Sequence, residues 1–72
     1  MNRTEQNKTF AAWVESHNAI LWKVARSFAP EEDQEDLHQD LLVALWQALP
    51  AFRQDSKVST FVYRVAFNRA LT

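Results

Sequence analysis

The chain has 72 residues, 47% of them hydrophobic, with no Cys, so it forms one small domain that cannot use disulfides or thiolate metal sites to stabilise its core. With no Gly, two Pro and no apolar run near about 20 residues, it favours helices with short connections over β-hairpins and excludes a membrane span. The formal net charge is −1, but the charges are unevenly distributed. Residues 1–50 carry four basic and eight acidic side chains, whereas residues 51–72 carry four basic and one acidic side chain. This asymmetry predicts an acidic surface and a basic surface for different partners.

The first predicted helix begins near Phe10. Residues 1–8 are expected to form a polar, frayed tail, they lack the apolar stretch of a signal peptide, and Thr9 is the predicted N-cap. His17-Asn18 marks the point at which this helix can kink, and Pro30 ends it. The apolar stripe has the three- and four-residue spacing of a helix with one buried face: Phe10, Trp13, Val14, His17, Ile20, Leu21, Val24, Ala25 and Phe28.

The second predicted helix runs from about Pro30 to Leu49, where Pro50 stops it. Its buried arc is apolar: Leu37, Leu41, Leu42, Ala44, Leu45, Ala48 and Leu49. The opposite arc places carboxylates and amides around an aliphatic and a marginal aromatic side chain: Asp36, Gln39, Asp40, Val43, Trp46 and Gln47. We interpret this arc as a partner surface, because a solvated face needs no Val or Trp; an ordinary solvated face with one stray Val is the alternative.

Acidic side chains dominate this second helix. Six carboxylates and no Lys or Arg lie between Pro30 and Pro50. Those in the first turn suit the helix dipole, but Asp36 and Asp40 lie too far along the helix for that reason. Charge reversal at either Asp36 or Asp40 is therefore expected to weaken a basic partner's binding without affecting folding.

The third predicted helix runs from about Val58 to Thr72, with Ser56 or Ser59 as its cap. Its apolar arc holds Val58, Phe61, Val62, Val65 and Ala66, and another slot holds Thr60, Arg64 and Asn68. Cations beside aromatic rings, which single-stranded nucleic acid binding requires, alternate here: Arg53, Lys57, Arg64 and Arg69 with Phe52, Phe61, Tyr63 and Phe67. The alternative is that the rings are core, which we expect at least for Phe61.

Metal, cofactor and catalytic chemistry find no support in the sequence. His17 and His38 fall on apolar sides of their helices, and without Cys or converging carboxylates each is better interpreted as a partly buried, hydrogen-bonded His than as a metal ligand. No calcium loop, phosphate-binding Gly loop or nucleophile-base pair is present. We therefore expect a binding protein rather than an enzyme, with no cofactor.

Two blocks of the sequence resemble region 2 of bacterial extracytoplasmic-function (ECF) sigma factors. Residues 35–40 (EDLHQD) and 45–53 (LWQALPAFR) are similar to the family's EDL-x-Q-(E/D) and W-x-A-L-P-x-F-R motifs. Residues 59–71 (STFVYRVAFNRAL) are similar to its (R/S)-T-(W/F)-(L/V)-Y-R-(I/V)-A-x-N-x-A-L motif. The resemblance covers about residues 9–72, and the chain is expected to stop before the family's region 4.

This resemblance implies two binding surfaces. The outer face of the second helix would dock on the clamp helices of the largest subunit of core RNA polymerase, through Asp36, Gln39, Asp40, Val43, Trp46 and Gln47. The segment from the loop after Phe52 to the third helix would hold the non-template single strand of the promoter minus-ten element, with bases flipped from the stack. The candidate DNA-binding residues are Arg53, Lys57, Ser59, Thr60, Tyr63, Arg64, Phe67 and Asn68. Family members often carry Arg or Lys where Ala44 and Gln47 stand, so this copy is less basic than usual.

The sequence thus predicts an all-α, compact three-helix domain with a cluster of Trp13, Leu21, Leu41, Leu45, Phe61 and Val65 at its centre. The predicted function is promoter recognition and melting by a cytoplasmic sigma factor, with an anti-sigma factor as a further partner and self-association of the fragment left open. A sigma-like protein-interaction module without DNA contact is the alternative. A helix-turn-helix reader of duplex DNA is disfavoured, because the third helix begins with apolar rather than base-reading side chains.

Overall fold

The computed structural model describes residues 1–72, which form three α-helices and the segments that connect them. Helix α1 spans Arg3–Phe28, α2 spans Gln34–Ala48 and α3 spans Val58–Leu71, with single 3-10 turns at Glu31–Asp33 and Leu49–Ala51. Each helix packs on the other two, which confirms the predicted all-α, three-helix architecture. None of the helices combines the length and the apolar character that crossing a membrane requires.

Helix α1 begins seven residues earlier than predicted, at Arg3 instead of Phe10. Asn2 is its N-cap: the Asn2 Oδ1 atom accepts a hydrogen bond of 2.8 Å from the Glu5 backbone N–H, and Asn2 Nδ2 donates to Glu5 Oε1 at 3.1 Å. The first bond satisfies one of the backbone donors that a helix start leaves free, and the second joins the two side chains. The prediction of Thr9 as the N-cap, and of a frayed segment before it, is therefore wrong.

The predicted kink in α1 is confirmed at His17, whose φ of −127° and ψ of 15° are not helical. The next residue, Asn18, places its Oδ1 atom 2.7 Å from Nε2 of His38 in α2. The His38 ring is buried and stacks on Trp22, with 3.9 Å between ring centroids. Burial lowers the pKa of His38, while the nearby Glu35 carboxylate opposes that shift. His38 is thus a hydrogen-bonded core histidine, and no cluster of His, Asp or Glu is placed to hold a metal.

The core lies where the three helices meet. Its fully buried members are Leu21, Val24, Ala25, Leu41, Leu45, Val62 and Ala66. The predictions for Leu21, Leu41 and Leu45 are confirmed, but Trp13, Phe61 and Val65 are only half-buried at the edge of this cluster. The reason lies in α3: the small Ala66 allows close approach to the other helices, so Ala66 and Val62 occupy the centre.

The helix ends also differ from the sequence-based expectation. Pro50 lies inside the 3-10 turn that continues α2, so the chain keeps turning through Ala51. Lys57 occupies the N-cap position of α3 with no side-chain hydrogen bond, and Ser59 lies inside the helix. The predicted serine caps are therefore wrong. The connection between α2 and α3 is instead held by packing of its one aromatic residue, Phe52.

Candidate partner-binding and nucleic-acid-binding surfaces

Val43 forms a ridge on the outer face of α2 and has 55% of its surface exposed. A groove lies on each side of it. The groove between α1 and α2, of about 360 Å³, is almost entirely apolar and is lined by Phe10, Gln39, Leu42, Val43 and Trp46. The groove between α2 and α3, of about 200 Å³, is more polar and is lined by Asp40, Val43, Ala44, Gln47 and Arg69. Five of the six residues predicted for this partner surface therefore line one or both grooves.

Trp46 lies at the edge of this face and is held by the first turns of α1. Its indole Nε1 donates a 2.9 Å hydrogen bond to Asn7 Oδ1, and its backbone carbonyl accepts a 2.7 Å bond from Nε2 of the buried Gln6. Gln6, Asn7 and Phe10 were not predicted as parts of this surface. The available signal was the Asn2-x-x-Glu5 capping box, which starts α1 early enough to bring these residues beside α2.

The two carboxylates predicted for this face have different surroundings. Asp36 is exposed and forms no ion pair, whereas Asp40 forms the one salt bridge of the structure, with Arg69 of α3. Arg69 Nε lies 2.7 Å from Asp40 Oδ2, and Nη2 lies 2.9 Å from Oδ1. The hydrogen bonds from Arg69 lower the pKa of Asp40. Charge reversal at Asp40 would therefore also break a contact between two helices. Asp36 lies in the first turn of α2, so the prediction that it is too far along the helix to suit the dipole is wrong.

The outward side of α3 carries most of the candidate DNA-binding residues. Thr60, Arg64 and Asn68 are exposed in a row, and Ser59 is half-buried beside them. The exposed ring of Tyr63 stacks on Phe67 with 5.8 Å between centroids. Phe67 is half-buried because it also meets the edge of Phe28 at 5.4 Å. Tyr63 is therefore the accessible ring on this side, and Phe67 packs against its inner face.

The loop between α2 and α3 places Arg53 and Lys57 in solvent but turns Phe52 inward. The Phe52 ring lies 5.1 Å from Trp13 and 5.0 Å from Phe61, so it holds the loop and is not free to stack a base, contrary to expectation. Gln54 has a φ of 60°, a left-handed conformation that is unfavourable for a residue with a side chain. A cavity of about 460 Å³ lies under the loop and is lined by Met1, Thr9, Trp13, Leu49, Pro50, Phe52, Gln54, Ser56 and Val58.

The fold and these surfaces define an all-α domain with an acidic, grooved face on α2 and a basic, aromatic face on α3. Residues 13–72 match the sigma-70 region 2 family. The chain therefore belongs to the sigma-70 region 2 family, and its resemblance to region 2 of ECF sigma factors is confirmed.

Two relatives support this assignment. The chain is 36% identical over 61 residues to the RNA polymerase sigma factor NccH of Alcaligenes xylosoxydans xylosoxydans, an alignment that covers 83% of the chain and 33% of the relative. It is also 36% identical over 63 residues to the RNA polymerase sigma factor CnrH of Cupriavidus metallidurans, an alignment that covers 86% of the chain and 33% of that relative. The chain thus spans about one third of the length of each. No solved structure matches it significantly.

Proposed function

We propose that this domain acts in transcription initiation as region 2 of an RNA polymerase sigma factor. The outer face of α2 binds the clamp helices of core polymerase, and α3 with the preceding loop holds the separated non-template strand of the minus-ten element. The names of the two relatives support the role in initiation. The observation that carries the assignment of surfaces is the Val43 ridge between two grooves on the outer face of α2. Of the carboxylates on this face, Asp40 is paired with a cation and Asp36 is not.

A ridge between two grooves is complementary to two neighbouring helices. Each helix of the partner can lay a row of side chains into one groove, with Val43 inserted between them. The carboxylates around the ridge favour a basic partner, because Asp36 has no cation of its own in the structure. Long-range attraction between these charges mainly accelerates association, whereas the apolar groove beside Trp46 slows dissociation.

We expect the Asp36→Lys variant to bind core polymerase at least about tenfold more weakly, chiefly through slower association. Asp36 is exposed and forms no ion pair, but it lies in the first turn of α2, so charge reversal should also lower the free energy of unfolding by about 0.5–1 kcal/mol through the helix dipole. Binding kinetics with immobilised core polymerase measure the first effect, and thermal melting measures the second.

The matched control is Glu15→Lys, which makes the same charge change at an exposed position of α1. Its affinity for core polymerase should stay close to that of the unchanged chain. Equal affinities of the Asp36→Lys and Glu15→Lys variants would contradict the assignment of the α2 face.

The DNA-binding half of the proposal is supported by the outward side of α3. Arg64 is exposed one turn after Thr60, and the residue that precedes it, Tyr63, is half-exposed. Cations that neutralise phosphates next to a ring that can stack a base favour a single strand over a duplex. Arg69 is held by Asp40, so three of the four cations in residues 51–72 remain for DNA, and binding should be weak and sensitive to salt.

We expect the double variant Lys57→Gln/Arg64→Gln to lose about tenfold or more in affinity for a single-stranded minus-ten oligonucleotide. The slope of log K against log salt should fall in magnitude by about 1.4, because each phosphate contact with a single strand contributes about 0.7. Fluorescence anisotropy across a salt series, with each variant assembled on core polymerase, measures both quantities.

The control for this experiment is Arg3→Gln/Lys23→Gln, which removes two exposed cations of α1. It should leave the salt slope nearly unchanged. Tighter binding to the matched duplex, or no effect of removing Lys57 and Arg64 together, would favour the alternative of a protein-interaction module without DNA contact.

A further inference from the structure

We propose that Arg69 competes with a cation of the partner for the Asp40 carboxylate. This competition lowers the affinity of the outer face of α2 for core polymerase. This inference rests on the proposed function, because it concerns the same docking surface. It goes further by giving a basic residue of α3 a role in regulating polymerase binding instead of DNA binding.

The geometry of the pair leaves little room for a second cation. Arg69 donates to both oxygens of the Asp40 carboxylate, from Nε at 2.7 Å and from Nη2 at 2.9 Å. This two-bond arrangement uses the planar fork of the guanidinium, which a single ammonium cannot reproduce. Each Asp40 oxygen keeps a lone pair, but a Lys or Arg of the partner that approaches it meets the positive charge of Arg69 unless that side chain moves away.

The position of Arg69 on α3 separates it from the other cations. It lies in the last turn of the helix, and with Asp40 it lines the groove between α2 and α3. On a helix of 3.6 residues per turn, Arg69 and Arg64 are five residues apart and project in clearly different directions, so Arg69 does not extend the row of Thr60, Arg64 and Asn68. Its side chain thus belongs to the docking face.

The ion pair between Arg69 and Asp40 can also be broken at low cost. The two side chains are 49% and 41% exposed, so water competes for both charges and the pair is easily broken. Once displaced, Arg69 remains near the C-terminus of α3, where the partial negative charge of the helix end favours a cation. Displacement leaves Asp40 one turn from Asp36 and able to present a second free carboxylate to a basic partner.

The decisive variant is Arg69→Gln, which frees Asp40 without changing any residue of α2. We expect it to bind core polymerase about two- to fivefold more tightly, mainly through faster association. Lys23→Gln is the matched control: it removes one exposed positive charge of α1 and should leave polymerase affinity unchanged. Arg69→Lys keeps the charge without the two-bond geometry and should fall between the unchanged chain and Arg69→Gln.

A double-mutant cycle separates competition from a general charge effect. In the Asp40→Asn background, Arg69→Gln should have no further effect on polymerase affinity, since no carboxylate remains to be released. A gain that persists in that background, an equal gain in Lys23→Gln, or weaker binding by Arg69→Gln would overturn the proposal. Thermal melting of each variant shows whether any loss of binding comes from unfolding.

Failure of this inference is distinguishable from failure of the proposed function. If Asp36→Lys loses polymerase affinity but Arg69→Gln does not gain it, the docking face stands and the internal competition is refuted. If Asp36→Lys binds polymerase normally, the docking face and the competition at it are both refuted.

Discussion

Replacing Leu45 by Ala is expected to lower the free energy of unfolding by about 2–5 kcal/mol. Leu45 is completely buried in α2, in the cluster that includes Leu21 of α1 and Val62 of α3. Three helices therefore lose packing at once, and helices joined by short turns have little freedom to collapse into the space. A domain of this size has a total stability of only about 4–11 kcal/mol, so the variant should be partly or wholly unfolded at 37 °C.

Urea denaturation followed by far-ultraviolet circular dichroism measures this loss. Val43→Ala is the control: it shortens a side chain in the same helix, but one that is 55% exposed, and should cost less than about 0.5 kcal/mol. Equal midpoints for the Leu45→Ala variant and the unchanged chain would mean that α2 does not face the core as described.

The Trp13→Ala variant is expected to lose about 2–4 kcal/mol of stability and to release the loop between α2 and α3. Trp13 meets Phe52 edge-on at 5.1 Å between ring centroids and Phe61 at 5.8 Å. Phe52 is the aromatic residue by which the loop is attached to the rest of the domain. Without the Trp13 ring, the loop loses its main apolar contact with α1.

Hydrogen exchange distinguishes release of the loop from general destabilisation. Amides of residues 52–57 should lose protection in Trp13→Ala more than those of α2, whereas Trp13→Phe should preserve most of it because a ring still contacts Phe52. Affinity for the single-stranded minus-ten oligonucleotide should fall as the loop loses order, since Arg53 and Lys57 lie in this segment. Unchanged exchange in the loop of Trp13→Ala would show that the loop is held by other contacts.

The sequence was sufficient to predict the three helices and most of the α2 core because both rest on local periodicity. Leu41 and Leu45 are spaced as one buried face requires, and both are fully buried. The two Pro residues mark both connections between helices, although each connection contains a short 3-10 turn that the spacing does not predict. The family resemblance supported the same arrangement through two separate motif blocks.

The orientation of α3 was predicted less well, because apolar residues occupy too much of its circumference. Phe61 and Val65 are larger than Ala66, and a ranking by hydrophobic bulk places them at the centre. Packing decides otherwise: Ala66 admits the neighbouring backbones, while Phe61 reaches sideways to Trp13 and Phe52. Such a choice depends on the shape of the other helices and cannot be made from α3 alone.

The contacts across the candidate site were the least predictable. Asp40 and Arg69 are 29 residues apart and lie on different helices, so no spacing rule connects them. The hydrogen bonds of Gln6 and Asn7 to Trp46 are similarly distant in sequence. Only the capping box at Asn2 and Glu5 gave a local indication that the early residues of α1 are ordered enough to make them.

The position of Trp46 gives this domain an intrinsic optical reporter. Its indole lines the apolar groove beside Val43 and is tethered to Asn7 through Nε1, so an occupant of that groove changes both the polarity around the ring and its hydrogen bond. The emission wavelength of the indole depends on those two properties. With Trp13 and Trp22 replaced by Phe, docking at the α2 face becomes visible as a spectral shift in the unlabelled chain.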